Sequence, residues 1–320
     1  MPLTLTYPGE QGCPATPTGP SQLHAASRTR ATARLVAAPA PLRLWHLASL
    51  DAPTVAVVWS LAFAWAAKVR LPLWVPVLLA LLTWSVYIAD RLLDARAGLR
   101  SSRLHQLRQR HIFHWRHRRL LVPLAVAAAC AAAAIIFSLM PATLREHNSV
   151  LAAAALAYFS GVHSRRRPPA WLAPLLSKEF LVGVIFTAGC ALPAWSRLRA
   201  LPASGSPFWT VWLPAAYCAA LAWFNCHAIG HWEQRPRGRN ATGVLPLGCA
   251  LGCAGLFLAV LTSTAQPRTA ALLLAVSASA LLLAWLDRLR NRISPLALRA
   301  AADLVLLTPL LLIPMARWLA

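Results

Sequence analysis

The sequence predicts an all-α integral membrane protein: a bundle of about nine transmembrane helices with its N-terminus in the cytoplasm. Three observations carry that prediction. Of 320 residues, 58% are hydrophobic and only 12% charged, where soluble domains carry about 25% charged residues. Apolar stretches of spanning length recur along nearly the whole chain. The basic residues, 31 Lys and Arg against 9 Asp and Glu, sit mainly between those stretches.

The apolar runs are too long and too many for a soluble all-α protein with one large core. In a soluble chain a net charge of +22 would suggest nucleic acid. Placed between apolar segments, it reads first as the positive-inside bias of a membrane protein, and no nucleic-acid partner is expected. Of the seven cysteines, all but Cys13 lie in apolar runs, with no CxxC spacing. They read as small buried apolar residues, not as a disulfide framework or a zinc site.

Residues 1–42 stand apart. They hold seven prolines, many Ser, Thr and Ala, and one acid, Glu10, the composition of a disordered basic tail. Their arginines and few acids also fit a transit peptide weakly, and no apolar core of a secretory signal lies near the start. Residues 43–320 form the membrane domain. Its apolar segments are 43–67, 71–93, 119–140, 148–163, 178–195, 208–230, 241–263, 268–286 and 296–318. A span needs about 17–25 residues, so the fourth is short. With the N-terminus inside, 24 of the 31 Lys and Arg fall on the cytoplasmic side and 7 outside. That bias sets an N-in, C-out topology, with anionic lipid as a partner of the basic face. The host is expected to be a bacterial inner membrane.

The same alternation places seven of the nine acids at cytoplasmic helix ends: Asp51, Asp90, Asp94, Glu179, Glu233, Asp287 and Asp303. Ionisable groups at membrane depth are costly and mark candidate sites. The competing assignment is local neutralisation, Asp303 by Arg299 and Asp287 by Arg288 or Arg290. Histidines form a second group: His111, His114 and His117 at spacing three, and His227 and His231 at spacing four. They are a candidate set for Zn²⁺, Cu or haem, or part of a basic amphipathic helix on the membrane surface.

The most informative motif is Tyr87-Ile-Ala-Asp90-Arg91-Leu-Leu-Asp94 at the end of the second segment. Asp90 and Asp94 share a helix face and suit a hard cation such as Mg²⁺, which completes its shell with water and substrate phosphates. An arginine-rich loop follows, suited to phosphate oxygens. In its helix count, orientation and the position of this motif the chain resembles the UbiA-type intramembrane prenyltransferases. In that family the motif reads Asn-Asp-x-x-Asp-x-x-x-Asp and binds Mg²⁺ and prenyl diphosphate. Asp90 and Asp94 match its last two aspartates, while Val86 and Tyr87 stand at the first two positions.

The resemblance implies a second acidic motif ending the sixth segment, where Asn225 and Glu233 are the oxygen ligands available. It further implies a diphosphate clamp drawn from Arg91, Arg103, Arg110, Arg165 and Lys178, with Tyr87, His227 and His231 near the acceptor. The expected function is Mg²⁺-dependent transfer of a prenyl group from a polyprenyl diphosphate to a lipid or aromatic acceptor, the chain passing Trp84, Trp223 and Phe224. The alternatives are a non-catalytic isoprenoid-binding or accessory protein of the same fold, and a metal- or haem-handling or transport protein.

Overall fold

A computed structural model describes residues 36–100, 108–163, 178–200, 208–234 and 243–312. Its helices are α1 (Ala40–Leu47), α2 (Asp51–Ala66), α3 (Trp74–Arg100), α4 (Gln109–Arg116), α5 (Arg118–Ser138), α6 (Ala142–His163), α7 (Lys178–Arg199), α8 (Leu213–Gln234), α9 (Val244–Thr262), α10 (Pro267–Leu289) and α11 (Pro295–Leu304). A π turn, Phe208–Trp212, leads into α8, and a 3₁₀ turn, Val305–Leu311, continues α11. Among the described residues the one β pairing is a parallel bridge between Val36 and Ile293. Val36 N–H donates to the Arg292 carbonyl and Ser294 N–H to the Val36 carbonyl, both at 2.9 Å. Residues 36–42, which composition assigns to the tail, are therefore ordered; the rest of the tail lies outside the described residues.

The fold is all-helical, with five helices long and apolar enough to cross a membrane (α3, α5, α7, α9 and α10), or six if α1 and α2 count as one bent span. Nine were expected. Each expected segment coincides with a helix or helix pair, but three fall short. α6 opens on Ala-Thr-Leu-Arg-Glu-His-Asn-Ser, α8 carries Asn225, His227, His231 and Glu233, and α11 runs ten residues before its 3₁₀ turn. Large apolar side chains stay exposed on α5 (Val122, Val126, Phe137) and α9 (Phe257, Val260, Leu261). Such a cover is what lipid chains solvate and water does not.

The first segment is not one helix, because α1 and α2 meet at 88°. Pro53 explains the break: within a continuous helix its ring would clash with the carbonyl of Ser49. Ser49 instead adopts the left-handed conformation, φ +57°. Its N–H donates to the His46 carbonyl at 3.2 Å and the Leu50 N–H to the Trp45 carbonyl at 3.0 Å, which is the Schellman closure of a helix end. Asp51, expected two turns into a helix, is thus the first residue of α2.

The core joins α2, α7, α8, α9, α10 and α11 around Trp59, Phe63, Leu221, Phe224, Leu272 and Leu283. Phe224 is fully buried there and packs in the core. Glycines let the helices approach. A Cβ on Gly183 of α7 would meet the Ala219 carbonyl oxygen at 2.8 Å and the Trp223 nitrogen at 2.9 Å, both backbone atoms of α8. Backbone cannot rotate away as a side chain can, so Gly183→Ala is expected to destabilise the protein by about 1–3 kcal/mol. Thermal unfolding in detergent checks this; an unchanged melting temperature would remove close α7–α8 packing from the account.

Pro309 has no N–H, so the Val305 carbonyl loses its helical partner. Ser279 Oγ on α10 donates to it at 2.7 Å, and Trp59 Nε1 on α2 donates to the next carbonyl, Leu306, at 2.9 Å. Backbone freed inside the helix bundle is satisfied from neighbouring helices, as burial away from water demands.

Candidate functional site at the helix ends

The ionisable residues of α1, α2, α3, α4, α8 and α11 meet in one network. His46 of α1 is fully buried. Its Nδ1 lies 2.7 Å from Asp51 Oδ2 and 3.3 Å from Asp303 Oδ2, and neither approach has hydrogen-bond geometry. Asp51 is held by its neighbours: the Ala52 N–H donates to Oδ1 at 2.9 Å, and Arg91 Nη2 stands 3.6 Å from Oδ2. Arg91 is buried and its guanidinium lies 5.8 Å from the centre of the Tyr87 ring. Asn225 Nδ2 donates to Asp303 Oδ1 at 3.3 Å.

Helix α4 closes one side of the network. The Arg110 carbonyl accepts from His114 Nδ1 at 2.7 Å, which fixes the proton on Nδ1 because a carbonyl only accepts. Nε2 is then the acceptor for the Ser49 hydroxyl at 3.1 Å. The left-handed turn after α1 is thereby pinned to α4. Burial pushes the His114 pKa down to about 4, and burial together with the arginines around it pushes that of His111 down to about 3. Arg110 is lowered to about 9 by burial and by Arg299 and Arg91, and keeps its charge at neutral pH.

These shifts have a sign. Unfolded histidine takes a proton near pH 6.5, whereas folded His111 and His114 do not until about pH 3 and 4. Between those values the unfolded state binds more protons, so stability is complete above pH 6.5 and falls on acidification. The slope is about 1.4 kcal/mol per pH unit for each histidine. The groups facing them are Arg91, Arg108, Arg110, Arg299, Asp51 and Asp94. Melting temperatures read from pH 7.5 to pH 5 should fall, and fall less in the His111→Gln/His114→Gln double variant. A flat profile would contradict the buried neutral state.

Beside this network lies a cavity of about 690 Å³ whose wall includes Arg43, His46, Arg108, Arg110, Arg290 and Arg299, with Glu233 as the one carboxylate among the described residues that line it. Glu233 is gripped by three of these arginines: Arg299 Nη1 at 2.7 Å, Arg110 Nη1 at 3.5 Å, and Arg108. Trp232 Nε1 donates to Asp287 Oδ1 at 2.8 Å, and Arg290 Nη1 reaches the same oxygen at 3.4 Å. Five guanidinium groups against two carboxylates, Glu233 and Asp287, keep an excess of positive charge that makes a seat for a polyanion.

The expected site residues are partly gathered. Asp90 and Asp94 are both half-buried on α3, and Asp94 Oδ2 lies 4.0 Å from His111 Nε2. Glu233 is engaged by arginines and Asn225 by Asp303. Among the described residues the one group of three His, Cys, Asp or Glu with ligand atoms in metal-binding range is His46, Asp51 and Asp303. Arg91 turns toward Asp51, while Arg110 joins the cavity. Arg103 and Arg165 lie outside the described residues, as does the side chain of Lys178.

On α8, Trp223, His227 and His231 stack in series, with ring centres 5.5 and 4.7 Å apart. The Asp287–Arg290 pair forms as the sequence suggested. Arg299 hydrogen-bonds to Glu233, and Asp303 faces His46 and Asn225. His46 and Ser49 were not anticipated. Their signal was that His46 and Asp51 are polar residues five apart in an otherwise apolar segment. No family model, curated protein or solved structure matches the chain.

Proposed function

We propose that the protein binds a lipid diphosphate, its headgroup in the arginine-lined cavity and its isoprenoid chain along the apolar helices, and that this arrangement serves prenyl transfer. The single observation behind the reading is the cavity: five arginines, one carboxylate and about 690 Å³, within the size range of small-molecule sites. Planar guanidinium groups bind phosphate oxygens in pairs. They also stabilise the charge that develops on a diphosphate as its bond to carbon breaks.

Glu233 acts as a placeholder in this reading. It neutralises and orients Arg108, Arg110 and Arg299 until a stronger anion competes for their N–H groups. Asp90 and Asp94, half-buried and one turn apart on α3, suit a cation that draws its other ligands from phosphate and water. They are the residues that would hold Mg²⁺, which when bound neutralises the departing diphosphate. The likeness to UbiA-type enzymes belongs to the same proposal, with nine spans, a cytoplasmic N-terminus and a bacterial inner-membrane location.

A second reading, a non-catalytic isoprenoid-binding protein, draws on one specific fact: Glu233 and Asn225, the oxygen ligands expected of the second acidic motif, are already engaged by arginines and by Asp303. The experiment is turnover of radiolabelled prenyl diphosphate by membranes containing the protein, with Mg²⁺ or with EDTA. A lipid-soluble product that needs Mg²⁺ and is lost in Asp90→Ala/Asp94→Ala is the expected result. Saturable diphosphate binding without turnover selects the second reading, and absence of binding refutes both.

A further inference from the structure

We propose that His46, Asp51 and Asp303 form a binding site for one divalent transition ion of the zinc class, separate from any Mg²⁺ carried by a diphosphate. The ligand atoms of the three side chains all lie within 4.8 Å of one another, and metal–ligand bonds to imidazole and carboxylate run about 2.0–2.2 Å. Around a tetrahedral ion such bonds set ligand atoms roughly 3.4 Å apart, so the 3.3 Å between His46 Nδ1 and Asp303 already fits and the 2.7 Å to Asp51 must open by a side-chain rotation.

Two further observations point to a missing ligand. His46 is 0% exposed, and its Nδ1 lies 2.7 and 3.3 Å from the two carboxylates without pointing its proton straight at either. Asn225 is 6% exposed and its Oδ1 also lacks a partner, while its Nδ2 is anchored to Asp303. Turning that amide over presents an oxygen to the cluster. Buried polar atoms without partners are rare and costly in folded proteins, and Nδ1 of His46 is the one that faces both carboxylates.

Charge and ligand type agree. With imidazole neutral, Asp51 and Asp303 carry two negative charges and Arg91 returns one, so a dication is accommodated. Arg91, 3.6 Å from Asp51 Oδ2, acts on the ion through Asp51 and fixes that carboxylate, the usual task of a partner one shell out. One imidazole nitrogen with two carboxylates favours Zn²⁺, Mn²⁺ or Fe²⁺ over Mg²⁺ or Ca²⁺, which take oxygen alone. The competing occupant is a proton: an imidazolium held between two carboxylates.

The test uses the full-length protein, purified in nanodiscs, stripped with chelator and titrated with Co²⁺ alone in the absence of lipid diphosphate. The expected result is one Co²⁺ per chain, with the intense visible bands of low-coordinate cobalt, displaced by Zn²⁺ and not by millimolar Mg²⁺. Asp303→Asn and His46→Gln should each lower the affinity by about 100-fold, and Asn225→Ala by about tenfold. If His46→Gln does not yield a monodisperse protein, Asp303→Asn and the wild-type titration decide. Absence of stoichiometric Co²⁺ in the wild type, or binding unchanged in Asp303→Asn, overturns the proposal in favour of the proton. Because the readout is metal uptake without lipid, this outcome is independent of diphosphate binding.

Discussion

Asp51→Ala lowers the stability of the metal-free protein by about 3–5 kcal/mol, the cost of removing one partner from a buried ion cluster. The Asp51 side chain is 3% exposed and lies against both His46 and Arg91, whose side chains are 0% and 5% exposed. Taking the carboxylate away leaves two basic groups in the interior with less to balance them. It also frees the Ala52 N–H that Asp51 Oδ1 accepts at the start of α2. The control is Asp94→Ala. Asp94 is 42% exposed, with His111 Nε2 4.0 Å from its Oδ2, so its loss costs about 0–1 kcal/mol. Unfolding by heat or denaturing detergent with chelator present separates the two. Equal losses would mean that the network does not depend on Asp51.

The second large effect concerns the cavity. Arg108→Ala/Arg299→Ala is expected to weaken prenyl diphosphate binding by about 100-fold or more, since each charge-assisted hydrogen bond contributes about 1.5–3 kcal/mol. Binding of the corresponding prenyl alcohol, which carries no phosphate, should stay within about twofold, because its apolar chain meets none of the removed charges. Glu233→Gln should act the other way. It removes the anion that competes for the three guanidinium groups, so diphosphate affinity rises by about tenfold. Equal losses for diphosphate and alcohol in the double variant would indicate a damaged fold and not a lost headgroup seat.

How much of this the sequence disclosed depends on the range of the interaction. The helices were legible because each apolar segment is a local property, and all nine reappear as helices or helix pairs. The number of spans was less legible. Where a helix carries Arg145 and Glu146, as α6 does, or Asn225 through Glu233, as α8 does, its end serves contacts within the protein and loses the hydropathy that counting relies on. The bend at Ser49 was written in Pro53, whose missing N–H and ring forbid a continuous helix, but its direction was not. The gathering of acids at one end was legible from the alternation of charged loops. Their pairing was not. Arg299 stands one turn from Asp303 in sequence yet bonds Glu233 of α8, because proximity on one helix competes with the packing of three. His46 was invisible for the same reason: its partners are the start of the next helix and a residue near the other end of the chain.

That last separation bears on how the protein is made. The network needs α1, the first of the described helices, and α11, the last of them, and the Val36 bridge closes on Arg292 and Ser294. Local pairs such as α9 with α10 can form while the chain is still being synthesised, whereas contacts between distant segments wait for both. Until α11 leaves the ribosome, Asp51 and Arg91 have their local partners but His46 lacks Asp303, and the arginine cavity lacks Arg299. Chains that stop before residue 295 are therefore expected to insert and yet hold an incomplete charge cluster at the membrane, a ready mark for the proteases that clear unfinished membrane proteins.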